Sequence, residues 1–158
     1  MQNTRQLLKI LQNQLATCER YLELENQKTQ VLVTGDIKTL DNIVKEEQVF
    51  VMKMDSFENK RQMLLEEIGL GDATINELIN DHIDELVDEF NLAYEGLSST
   101  TSKLIKVNSL NQKLLKQRLL VVNNVMANIA NEEVMQKVDF KDDSNIIYKT
   151  DQAIDRKV

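Results

Sequence analysis

The chain has 158 residues, no proline, four glycines, one cysteine and a net charge of −7, so it is one domain's worth of helix-compatible sequence. The acidic balance argues against nucleic acid, which needs a basic footprint, and against anionic lipid. No apolar run approaches the roughly 20 residues that span a bilayer, and Met1–Arg5 has no signal-peptide pattern. With a lone cysteine and hence no internal disulfide, these features predict a soluble cytoplasmic protein.

The first helix is predicted from about Thr4 to Val33. Leu8, Leu11, Leu15, Cys18 and Leu22 alternate at three and four residues, the spacing of a seam that must be buried against other helices. Gly35 can take the left-handed conformation that ends a helix, and Asp36 can accept from the free amides of the next. Thr34-Gly35-Asp36 is therefore read as a tight reversal between antiparallel helices. The second helix runs from Ile37 to about Ile68, with Ile37, Leu40, Val44, Val51 and Met54 as its stripe. Glu47 and Arg61 fall where that stripe should be apolar.

Gly69-Leu70-Gly71-Asp72 is the second break. Thr74-Ile75-Asn76-Glu77 then reads as a capping box opening a short helical turn with Leu78 and Ile79. A long third helix is expected from about Ile83 to about Val134, striped by Ile83, Leu86, Phe90, Leu97, Thr101, Leu104, Asn108, Asn111, Leu115, Val122, Val125 and Ile129. Gly96 and Ser98–Ser102 mark a weak patch where it bends or loosens. Acids occupy Asp81–Glu95 and bases Lys103–Arg118. That division suits the helix dipole and cross-helix pairing, with contact to an acidic partner as the other reading.

The architecture that follows is all-α: an elongated antiparallel three-helix bundle or coiled coil over 1–138, with a long C-terminal helix and a mobile tail, 139–158. The tail's apolar residues are Phe140, Ile146, Ile147, Tyr148, Ile154 and Val158. Burying them contributes about 1.5–3 kcal/mol each, against about 1–2 kcal/mol for every residue ordered. The tail should order only when a partner or a second copy covers it.

No constellation for catalysis emerges. A di-metal site needs two Glu-x-x-His pairs, whereas His82 is the single histidine and Ile79 stands three residues before it. The surrounding Asp81, Asp84, Glu85, Asp88 and Glu89 read as a solvated face. Cys18 lies on the first seam and reads as a small core residue. Gly69-Leu70-Gly71 is too short for a phosphate cradle and follows a helix rather than a strand. The chain is expected to be no enzyme and to take no cofactor or metal.

Two features suggest binding. Asn108 and Asn111 interrupt the apolar stripe, either as buried amides that fix register or as the exposed edge of a half-packed helix. Further on, Val121, Val122, Val125, Met126, Ile129, Val134, Met135 and Val138 exceed what one seam requires. They suit either an adaptable surface for an amphipathic helix or self-association and packing on the tail.

Together these residues resemble the FlgN family of flagellar type III export chaperones. The likeness runs through Leu8, Leu11, Leu15, Tyr21, Leu22, Leu24, Lys28 and Leu32, then Gly35-Asp36, Leu40 and Glu46-Glu47. Phe57-Glu58-Asn59-Lys60-Arg61, with Glu66-Glu67 and Gly69 behind it, is similar to that family's Leu-Glu-x-x-Arg stretch, with Phe57 in place of Leu. Val107–Leu115 is similar to its Asn-x-x-Asn segment. The likeness covers the chain to about Ile129, with an echo at Ile154–Val158.

The resemblance implies a non-enzymatic cytoplasmic chaperone. It would bind hook-associated junction proteins, prevent their premature assembly and deliver them to the export gate. It also implies substrate contacts from Val122 onward. The anchors expected there for a partner's terminal amphipathic helix are Val122, Val125, Ile129, Phe140, Ile146 and Tyr148, with Gly35, Asp36, Asn108 and Asn111 structural. The competing reading is a coiled-coil adaptor or tether that self-associates, as a homodimer for instance.

Overall fold

The computed structural model describes residues 2–81 and 83–140, with side chains to 135. The described residues are helical, without strands, in the order α1 (Gln2–Thr34), α2 (Ile37–Glu67), α3 (Ile75–Asp81) and α4 (Val87–Phe140). They fall into two units, residues 1–111 and the chain from Gln112, which are taken in turn.

In the first unit the α1–α2 reversal is built from two residues. Gly35 sits at φ 80°, and its amide donates to the Val31 carbonyl at 2.8 Å. Asp36 caps α2, accepting from the Thr39 amide at 3.1 Å and the Thr39 hydroxyl at 2.5 Å. Those two bonds hold the fully exposed carboxyl below its ordinary range. A Cβ at Gly35 would force an L residue into the left-handed region, which costs about 1–2 kcal/mol. Gly35→Ala should therefore lower stability by about 1 kcal/mol, read as a shifted urea midpoint with an unchanged slope.

Cross-helix pairs give the directions. Lys28 of α1 meets Glu47 of α2 at 2.7 Å, and the Cys18 thiol faces the Met54 sulfur at 3.9 Å. The numbers rise on one helix as they fall on the other, so α1 and α2 are antiparallel. On α4, Gly96 faces Leu15 and Asn111 faces Glu25. That helix therefore runs parallel to α1, giving an up-down-up bundle.

The apolar core gathers at the end where α1 begins and α2 stops. Leu7, Leu8, Leu11, Leu64, Leu65, Leu78, Ile79, Ile83, Phe90 and Ala93 form one buried cluster. α3 contributes Leu78 and Ile79 to it, opened by the reciprocal capping box. There the Thr74 amide donates to the Glu77 carboxylate at 2.8 Å, and the Glu77 amide donates to the Thr74 hydroxyl at 3.2 Å.

Three expectations are corrected. On α2, Leu40 and Met54 are half-buried as expected, but Ile37, Val44 and Val51 are exposed. Ile43 and Phe50 turn inward in place of Val44 and Val51, one residue earlier in each case, and Phe57 follows them. The last helix starts at Val87 rather than Ile83, because Leu86 has φ 64°, left-handed backbone that no α-helix continues through. Helix then persists to Phe140, past the expected end at Val134.

α4 continues through Gly96. A Cβ there would meet Leu15 Cδ2 at 2.7 Å, so the glycine admits a neighbouring side chain. One residue on the expected stripe also shifts: Thr100 is buried where Thr101 is exposed.

The second unit is described from Gln112 to Phe140 as the remainder of α4. The expected tail loses Asp139 and Phe140 to that helix. Residues 141–158, with Ile146 and Tyr148, lie outside the described residues. No helix among the described residues is long and apolar enough to cross a membrane.

Candidate functional site

Between Gln112 and Met135 no side chain is buried. Val122, Val125 and Ile129 are 52%, 51% and 47% exposed. Leu119, Leu120 and Val121, beside them in the sequence, are exposed as well. The spacing of Val122, Val125 and Ile129 puts them on one face of α4. Helical residues of this kind, bounded by Asn123, Asn124 and Asn128 on the polar side, form a stripe that an amphipathic helix can cover. Phe140 ends the same helix. The expected anchors Ile146 and Tyr148 cannot be placed against it, since they lie outside the described residues.

The first unit carries a second group of functional side chains, set around Asn111. Asn111 is 2% exposed. Its amide nitrogen donates to the Glu25 carbonyl at 3.0 Å and to Glu25 Oε2 at 2.9 Å. The Thr29 hydroxyl donates to Asn111 Oδ1 at 2.6 Å. Asn108 is half-buried and hydrogen-bonds the Tyr21 hydroxyl, whose acidity is nevertheless weakened, first by burial and then by Glu25 and Glu47. Tyr21 stacks on Phe50 at 5.7 Å.

The two polar residues of the α2 seam also have partners. Glu47 holds Lys28, and Arg61 forms a two-point pair with Glu58. That pair holds the Glu58 carboxyl below its ordinary range.

Sequence reasoning singled out Asn108, Asn111 and Glu47 but missed Glu25 and Thr29. The signal was present. Continuing the beat of Leu8, Leu11, Leu15, Cys18 and Leu22 lands on Glu25 and Thr29, so both stand where the seam should be apolar.

Cys18 is a buried free thiol, and burial, then Glu19, pushes its pKa up. It is thus poorly suited to nucleophilic chemistry. Among the described residues no group of three or more His, Cys, Asp or Glu side chains is placed to hold a metal. Asp81, Asp84, Glu85, Asp88 and Glu89 are all exposed.

A sequence profile of the FlgN protein family matches residues 1–136. A Bacillus subtilis (strain 168) relative, named uncharacterized protein YvyG, is 29% identical over 107 residues, covering 66% of this chain and 67% of its own. No solved structure gives a significant match.

Proposed function

The chain belongs to the FlgN family of flagellar export chaperones, and from that premise we propose that its cargo is the hook–filament junction proteins. It binds them in the cytoplasm, keeps them from assembling prematurely and delivers them to the export gate. The docking element is a terminal amphipathic helix of the cargo. Its anchors are Val122, Val125, Ile129 and Phe140 on α4, joined by Ile146 and Tyr148.

The observation that carries this reading is the half-exposed Val122, Val125 and Ile129 on a stretch of α4 that buries no residue of its own. Clustered apolar surface of this kind marks an interaction site. Helix burial supplies the affinity, and any segment that orders on binding lowers the net gain.

The same residues would serve a self-associating tether, so stoichiometry is the discriminating measurement. Sedimentation velocity of the full chain, with and without a junction-protein C-terminal peptide, should give a one-to-one complex that forms only with the peptide. Stable oligomers in its absence, with no uptake of peptide, would establish the tether instead.

A further inference from the structure

The polar layer around Asn111 contains one group whose chemistry is incomplete. Glu25 is 0% exposed, yet only one of its carboxyl oxygens is bonded. Oε2 accepts from Asn111 at 2.9 Å, while Oε1 is shut away from water with no donor. Lys28, one turn along α1, lies 4.0 Å from Oε1 and is drawn to Glu47 at 2.7 Å instead. Three elements meet at this carboxyl. α1 supplies Lys28 and, at longer range, the Tyr21 hydroxyl that Asn108 bonds; α2 supplies Glu47, and α4 supplies the neutral amide of Asn111.

A buried carboxylate oxygen without a donor is costly, and a second carboxylate beside it adds repulsion. A single proton removes both difficulties. On Oε1 it turns the orphan acceptor into a donor aimed at Glu47, which is within hydrogen-bonding reach. Glu47 keeps its contact with Lys28, and Oε2 stays free to accept from Asn111.

We propose that Glu25 and Glu47 share one proton in the folded protein, and that this proton closes a clasp between α1 and α2 beside Asn111. When the proton leaves, two carboxylates face each other inside the bundle with one ammonium between them. The pairing of α1 with α2 at these two residues then loosens. The chain thereby carries a proton-sensitive fastening between residues 25 and 47, whatever cargo it binds.

Electrostatics agree with the geometry. Burial, then the hydrogen bond with Glu47, pushes the Glu25 carboxyl from 4.5 up to about 7, with Asn111 and Lys28 pulling the other way. A carboxyl pKa raised on folding means that the folded state holds the proton more tightly. Its stabilising contribution is complete below about 4.5 and is lost as pH rises through about 7.

The test compares the full chain with Glu25→Gln, which mimics the protonated carboxyl at every pH. Between about pH 5.5 and 8 the folding equilibrium of the wild type should fall relative to that variant by on the order of ten- to thirty-fold. Carbon-13 detection of the wild-type side-chain carboxyls, which does not depend on the variant folding, should show Glu25 titrating well above free glutamate. A Glu25 carboxyl that titrates near its ordinary value would overturn the proposal. So would a stability difference from Glu25→Gln that stays flat with pH.

Discussion

Phe90→Ala is expected to lower the stability of the first unit by about 3–5 kcal/mol, the range for deleting a buried aromatic ring. Phe90 is fully buried in the first turn of α4. It belongs to the cluster joining Leu7, Leu8 and Leu11 of α1, Leu64 and Leu65 of α2, and Leu78 and Ile79 of α3. Removing the ring leaves a cavity bordered by four elements, and three of them cannot close it without leaving the others. Domains are stable by only about 5–15 kcal/mol, so the loss is a large share of the total. Urea denaturation followed by circular dichroism reads it directly. Leu92→Ala serves as the control. It is two residues along the same helix and 69% exposed, and should stay within about 0.5 kcal/mol. A Phe90 variant as stable as that control would mean that α3 and α4 do not share this core in solution.

How much of this was legible depends on whether a residue acts through local or tertiary physics. The α1–α2 reversal is local: Gly35 supplies the left-handed backbone and Asp36 the cap, whatever surrounds them. The capping box at Thr74 and Glu77 is local in the same sense. The inward face of α2 is not, because its seam includes Glu47 and Arg61, whose burial is tolerable only with Lys28 on the facing helix and Glu58 one turn back on α2. Once charges sit on the packed face, counting apolar residues favours the neighbouring stripe, and Ile37, Val44 and Val51 are mistaken for core.

Leu86 escaped for a related reason. A left-handed leucine is unfavourable by itself and is stabilised by packing against the core cluster, which no local pattern announces. Gly96 read as a weak point because its use depends on Leu15, eighty-one residues earlier in the sequence. Glu25 was the most legible of the missed residues. The heptad count reaches it one step past Leu22, where an apolar stripe gives no reason to look for a carboxylate.

The exposed part of α4 leads to the largest expected effect on binding. Val125→Asp with Ile129→Asp should weaken junction-protein binding by more than a hundredfold while leaving helicity and folding stability nearly unchanged. The two halves of that expectation rest on separate terms. Both side chains are about half exposed in the free chain, so covering them on binding contributes roughly 1 kcal/mol each. Placing a carboxylate in the covered surface adds a desolvation cost of several kcal/mol unless a cation meets it. Losing 3 kcal/mol or more corresponds to over a hundredfold in Kd.

In the free chain neither term applies, because the carboxylates remain in water, and Asp has a helix propensity close to that of Val and Ile. Titration calorimetry with the cargo's terminal helix, beside a thermal melt of each variant, measures both. Binding that survives the paired substitution would remove this face of α4 from the docking surface. Loss of binding together with loss of helicity would show instead that Val125 and Ile129 are core residues of a self-assembled form.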